Sequence, residues 1–136
     1  MAKSFSLEIV TPFRKVFSEP VSAIVAPGEE GYFGVLPGHT PLLTSLQIGY
    51  LKVEQGDRVS YFSVSGGFAE VLPNGVKIFA ETAEAASAIE VKRAEEAKAR
   101  AANRLHEGRK QWDLERTRGS LARAKNRLAV AERSVQ

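Results

Sequence analysis

Three groups of side chains in this chain carry chemistry: two histidines, a serine beside a glycine pair, and a dense set of cations towards the C-terminus. A catalytic or metal-binding histidine needs a partner at ligand spacing, and neither His39 nor His106 is so spaced from another His or a carboxylate pair. His39, between Gly38 and Thr40-Pro41, reads as a turn histidine satisfied by backbone groups. Ser65-Gly66-Gly67 lacks the Gly-x-Ser-x-Gly spacing of a nucleophile elbow, and no helical segment follows it. The glycine pair reads instead as a place where strands bulge or pack closely. Cysteine is absent, which removes thiol catalysis, disulfides and Cys-based zinc sites. With no acid/base pair, nucleophile or metal cluster to assemble, the chain is expected to be a non-enzyme that requires no cofactor.

The cations are placed unevenly. Residues 1–86 carry a net charge of −3 and residues 87–136 a net charge of +6. A basic segment suggests an acidic partner: a protein surface, nucleotide phosphates or nucleic acid. Nucleic acid is disfavoured, because Trp112 is the only aromatic in that segment and acidic residues interrupt the basic ones.

Two unlike bodies must position these groups. All six prolines lie at or before Pro73 and ten of the eleven aromatics at or before Phe79. The expected domains are therefore 1–85 and 86–136. Through the first, apolar residues alternate with period 2, as in Phe5, Leu7 and Ile9, in Val21, Ala23 and Val25, and in Leu51 and Val53. Pro and Gly turn signals interrupt these runs at short intervals, implying an antiparallel β-sandwich. Leu72-Pro73-Asn74-Gly75-Val76 predicts a tight hairpin with Asn-Gly at positive-φ positions.

The second body reads as an antiparallel two-helix hairpin, making the whole α+β. Ser87 and Glu90 fit a capping box opening a helix that runs to about His106, with Val91, Ala94, Ala97, Ala101 and Leu105 as its least polar stripe. Gly108 reads as its stop and Asp113 as the N-cap of a second helix. There Leu114, Leu121 and Leu128 fall seven apart, with Thr117, Ala124 and Ala131 between them. Gly119 weakens that helix by roughly 1 kcal/mol relative to alanine. A hairpin with so few large apolar residues is marginal by itself, so a second arrangement within a few kcal/mol is expected. No run approaches the ~20 apolar residues of a membrane span. The chain reads as soluble and intracellular, reaching a membrane only through a partner.

Three separated stretches carry a resemblance. They are Gly34-Val35-Leu36-Pro37-Gly38-His39-Thr40-Pro41-Leu42-Leu43, Val64-Ser65-Gly66-Gly67-Phe68-Ala69-Glu70-Val71, and Arg123-Ala124-Lys125-Asn126-Arg127-Leu128. Together they resemble the epsilon subunit of bacterial F-type ATP synthases, from Phe5 to Glu132. The resemblance implies a non-catalytic subunit on the rotating central stalk, at the cytoplasmic face of the cell membrane. Its sandwich would bind the gamma subunit and the ring of c subunits. Its hairpin would inhibit ATP hydrolysis by extending along gamma towards the alpha and beta subunits.

The resemblance also implies sites. Beta-subunit contacts would come from Arg109, Lys110, Arg116, Arg118, Arg123 and Arg127, several acting together because exposed ion pairs are weak singly. The family's Ile/Leu-Asp-x-x-Arg-Ala nucleotide motif matches Ile89-Glu90-Val91-Lys92-Arg93-Ala94, with Glu for Asp, and further positions match at Glu84, Arg100, Arg123 and Arg127. ATP is thus a possible regulatory ligand, its phosphates met by guanidinium groups. Docking on the c ring or gamma would use Glu30, Gly31, Tyr32 and Phe33, with His39; the alternative for Phe33 is that it faces the core. A stand-alone ATP-sensing interaction module is the other reading of the whole.

Overall fold

The computed structural model describes residues 3–107 and 111–133. The alternating segments form ten strands: β1 (Phe5–Val10), β2 (Lys15–Val21), β3 (Ala23–Gly28), β4 (Gly31–Val35), β5 (Leu42–Ser45), β6 (Gly49–Gln55), β7 (Arg58–Ser65), β8 (Phe68–Leu72), β9 (Gly75–Phe79) and β10 (Thr82–Ala85). They make two five-stranded sheets, ordered β2-β1-β9-β8-β5 and β10-β7-β6-β3-β4. Every pairing is antiparallel except β1 with β9. The inward side chains of both sheets, among them Leu7, Ile9, Ile24, Leu51, Val53, Val64, Val71 and Ile78, form one core. Each contributes about 1.5–3 kcal/mol of burial, so this body has a substantial core of its own.

Two local expectations are corrected. Val21, Ala23 and Val25 do not share a face: Val21, Ile24 and Ala26 are the buried residues. The chain crosses from the first sheet to the second at Ser22, whose amide and hydroxyl both donate to the Glu54 carbonyl, at 2.7 and 2.9 Å. That crossing resets the alternation by one residue. In the β8–β9 hairpin Leu72 pairs with Gly75, so Pro73-Asn74 are the turn residues. Gly75 is not among the positive-φ residues. Its bareness serves close approach instead, because a Cβ there would stand 3.3 Å from the Ser6 carbonyl oxygen on β1. Gly66 and Gly67 do have positive φ, and a Cβ on Gly67 would meet the Phe79 carbonyl oxygen at 1.8 Å. The close strand approach expected there is real.

Beyond Ala85 the chain forms a second compact unit. A 3-10 turn at Ala86–Ala88 leads into α1 (Val91–Glu107), and α2 spans Gln111–Arg133. The Ser87 capping box does not form. Ser87 lies within the 3-10 turn, and the Glu90 carbonyl accepts the first helical bond, from Ala94 N at 3.0 Å, which makes Glu90 the N-cap. Asp113 lies inside α2, which begins two residues before it; Gly108 lies outside the described residues.

Candidate functional site

The hairpin is built on small residues. Ala94 and Ala101 of α1, and Thr117, Ala124 and Ala131 of α2, are buried, and Val130 is the one larger side chain buried on either helix among the described residues. Val91 is exposed, so the apolar stripe of α1 is shorter than its pattern suggests. Leu114, Leu121 and Leu128 are only half-buried. Small side chains let the helix axes approach, and that closeness pushes the longer leucines to one side of the seam. There Val91, Ala99 and Ala102 face Leu128, Ala131 and Glu132 across an open groove, which also shows that the helices run antiparallel.

The arginines take the opposite side. At about 100° per residue, Arg93 and Arg100 lie roughly a quarter-turn round from Ala94 and Ala101, away from the groove. Arg116, Arg123 and Arg127 lie in the same way relative to Thr117, Ala124 and Ala131. With α1 ending at Glu107 and α2 beginning at Gln111, the antiparallel run sets Arg93 within about one turn of the level of Arg127, and Arg100 within about two turns of that of Arg123. Four of the expected nucleotide-binding cations therefore share one flank, with Arg116 added to them. Arg118 points elsewhere on α2, about 140° from Arg123. Arg109 and Lys110 lie outside the described residues. Arg93, Arg100, Arg116, Arg118 and Arg123 are exposed and Arg127 is half-buried.

The rest of the nucleotide motif is divided. Glu90 is exposed at the start of α1, where a carboxylate is favourable beside the helix N-terminus. Ile89 and Ala94 are buried, so their side chains support the hairpin and offer a ligand nothing directly. Glu84 belongs to the first unit, half-buried on β10 opposite Ser63.

In the sandwich, Glu29 and Glu30 form the two-residue turn between β3 and β4, and Gly31 follows with φ +127°. Tyr32 and Phe33 are on β4, not in the loop, and strand alternation sends them to opposite faces. Phe33 packs against the core, so of the expected aromatic pair only Tyr32 stays accessible, at 49%. His39 is half-buried, its Nδ1 donating to the Thr40 carbonyl at 2.6 Å and its amide to the Leu36 carbonyl at 3.1 Å.

Sequence reasoning missed an apolar surface. Leu43, Phe68 and Leu72 project from the outer face of the first sheet, with Leu43 68% exposed and Phe68 stacked on Phe79 at 4.9 Å. Leu36 is exposed in the β4–β5 connection, and Phe13 is 92% exposed in the β1–β2 turn. The signal lay in β8: in Phe68-Ala69-Glu70-Val71-Leu72 the outward face carries Phe68 and Leu72 on either side of Glu70, whereas a fully solvated face would carry polar residues throughout. Among the described residues no cluster of three His, Asp or Glu is placed to hold a metal, and no helix is long and apolar enough to cross a membrane.

The comparisons with known proteins follow the same division. Residues 4–86 match the family described as ATP synthase, Delta/Epsilon chain, beta-sandwich domain. Residues 87–132 match ATP synthase, Delta/Epsilon chain, long alpha-helix domain. The chain is 47% identical over 134 residues to the ATP synthase epsilon chain of Syntrophobacter fumaroxidans, covering 98% of this chain and all of that one. It is 46% identical over 132 residues to the ATP synthase epsilon chain of Desulforamulus reducens, covering 97% of this chain and all of that one. Its fold is similar to a chain in the cryo-EM structure of Euglena gracilis mitochondrial ATP synthase (TM-score 0.81, 24% identity, 98% of this chain and 82% of that one). A chain from the Tetrahymena thermophila mitochondrial ATP synthase central stalk and c-ring is also similar in fold, with TM-score 0.58 and 16% identity over 98% of both chains.

Proposed function

The chain belongs to the ATP synthase delta/epsilon chain family, and from that premise we propose that it is a non-catalytic rotor subunit whose sandwich docks on the central stalk and whose hairpin regulates hydrolysis. The observation that carries this reading is the coincidence of two boundaries. The family's two domains meet between residues 86 and 87, and the fold passes from sheet to helix between Ala85 and Ala86.

The sandwich has the surface a docking domain needs. Leu36, Leu43, Phe68 and Leu72 expose apolar area that a solitary domain gains nothing by leaving in water. Partner subunits are gamma and the c ring, reached by this apolar surface and by the Glu29–Glu30 turn with Gly31, Tyr32 and His39. The protein meets the membrane through those partners.

The hairpin has a thin core, mostly alanine with Val130 and Ile89 as its larger buried side chains, so little burial opposes its rearrangement. Its arginine flank suits two anions: the acidic surface of a beta subunit when extended, and the phosphates of ATP when folded. Arg93, Arg100, Arg123 and Arg127 would hold the phosphates by charge-assisted hydrogen bonds, with Glu90 towards the nucleoside. ATP bound only to the folded hairpin stabilises that form by mass action.

Reconstitution tests the division of labour. Added to an ATP synthase complex stripped of this subunit, the full chain and a chain ending at residue 85 should both bind. Only the full chain should lower ATP hydrolysis. Failure of the shorter chain to bind would place docking in the hairpin and sink the assignment.

A further inference from the structure

Tyr32 is accessible, yet its ring is already engaged. It stacks on Tyr50 at 4.3 Å with 22° between the planes, and Tyr50 meets Tyr61 edge-on at 6.0 Å. The Tyr32 hydroxyl accepts a hydrogen bond from the Tyr50 amide at 3.1 Å. The hydroxyl reaches that amide because residue 49 is glycine: a Cβ there would stand 2.5 Å from the Tyr32 hydroxyl and 2.6 Å from Pro27 Cβ. Gly49, Pro27 and Tyr50 thus form a fitted seat for one side chain. Tyr32 lies one residue past the Glu29–Gly31 turn, so whatever fixes Tyr32 limits where the turn can go.

The other side of the turn is fixed too. The Glu29 amide donates to the Ser45 carbonyl at 3.0 Å, and Gln47 Nε2 donates to the Glu29 carbonyl at 2.6 Å. The Gln47 amide donates to the Pro27 carbonyl at 2.9 Å, and Gly28 bridges to Leu46. A two-residue turn ordinarily sits among the more mobile parts of a fold. This one is clamped from both flanks while Glu29 and Glu30 remain exposed.

We propose that Tyr32 is a positioning residue: seated against Gly49 and Tyr50, it holds the Glu29–Glu30 turn in a fixed geometry for docking on the rotor. The inference rests on the reading that this turn docks, and it changes the role of Tyr32 within that reading from contact to strut. Pre-organisation of this kind raises affinity by removing the ordering cost from the binding step. Phe33 on the opposite face of the same strand packs in the core, so β4 is anchored through both its faces.

The test uses the full chain and an ATP synthase complex stripped of this subunit, with affinity, thermal midpoint and amide exchange at Glu29–Gly31 measured together. Tyr32→Phe keeps the stack and loses the hydroxyl; Gln47→Ala removes the clamp on the other flank. Each should weaken docking about threefold to tenfold, the usual worth of one hydrogen bond. Each should also speed exchange at the turn, with the thermal midpoint lowered by no more than the loss of one hydrogen bond accounts for. A residue with only a structural role would lower the midpoint and leave affinity alone, and that result overturns the strut. Glu30→Lys separates the two layers. If it weakens docking while Tyr32→Phe and Gln47→Ala bind as the natural chain does, the strut fails and the docking turn stands. If Glu30→Lys binds unchanged, the docking turn fails and the strut with it.

Discussion

Arg123 runs back along α2 and lays its guanidinium over the bare Cα of Gly119. Nη2 donates to Ser120 Oγ at 3.3 Å, and a Cβ built on Gly119 would stand 3.2 Å from Nη1. The glycine that weakens the helix thus gives one of the flank arginines room to lie down. The contact is with the far end of a flexible side chain, which can yield. Gly119→Ala should therefore stabilise the hairpin by about 1 kcal/mol through helix propensity. Urea unfolding followed by circular dichroism checks this, and a loss of stability would mean that Arg123 cannot leave its place cheaply.

The arginine flank makes a prediction with its own control. Arg100→Gln and Arg127→Gln should each weaken ATP binding by about 1.5–3 kcal/mol, the range for hydrogen bonds to charged groups. Arg118→Gln, on another face of the same helix, should leave affinity unchanged. Calorimetric titration of the isolated subunit reads all three, and equal losses at all three positions would point to diffuse charge attraction in place of a site.

In the sandwich, Gly67 and Gly66 should respond unequally. Gly67→Ala puts a Cβ into the Phe79 carbonyl oxygen at 1.8 Å with φ at +97°, a backbone clash with nowhere to go. It should cost more than about 4 kcal/mol or prevent folding. Gly66→Ala, at φ +64°, meets the Glu81 carboxylate at 2.8 Å, the end of a flexible side chain. About 1–2 kcal/mol, the left-handed backbone penalty, is expected. Comparable losses in the two urea midpoints would contradict this ordering.

What could be read from the residue pattern, and what could not, divides along physical lines. Strand alternation and the end of the proline-containing region are properties of the chain itself, so the two bodies and most inward faces were legible. Ser22 broke the alternation because the crossing between sheets is a tertiary event. The heptad spacing put Leu114, Leu121 and Leu128 on one face with Thr117, Ala124 and Ala131, and of these the small residues are the more deeply buried. Periodicity identifies a face of a helix, but which half of that face is central depends on how close the partner comes. The arginine flank needed only the helical repeat and the antiparallel turn. The Tyr32 seat was hidden, because it depends on Gly49 of β6, two strands away from β4 in the sheet.

Glu90 joins two effects that one experiment can part. As N-cap of α1 its backbone accepts the Ala94 amide, yet its side chain is one methylene too long to cap well. Glu90→Asp should stabilise the first turn of α1 by about 0.5–1 kcal/mol. It also restores the Asp of the nucleotide motif, so ATP affinity should rise. Glu90→Ser caps equally well but carries no charge. If capping alone matters, both variants tighten ATP binding to the same degree, by stabilising the folded hairpin. If the carboxylate meets the nucleotide, Asp tightens binding and Ser weakens it, while both raise the thermal midpoint. The second outcome is the one expected, because Glu90 is exposed at a helix N-terminus at the head of the α1 segment that carries Arg93 and Arg100. Opposite signs in affinity with equal signs in stability cannot arise from capping.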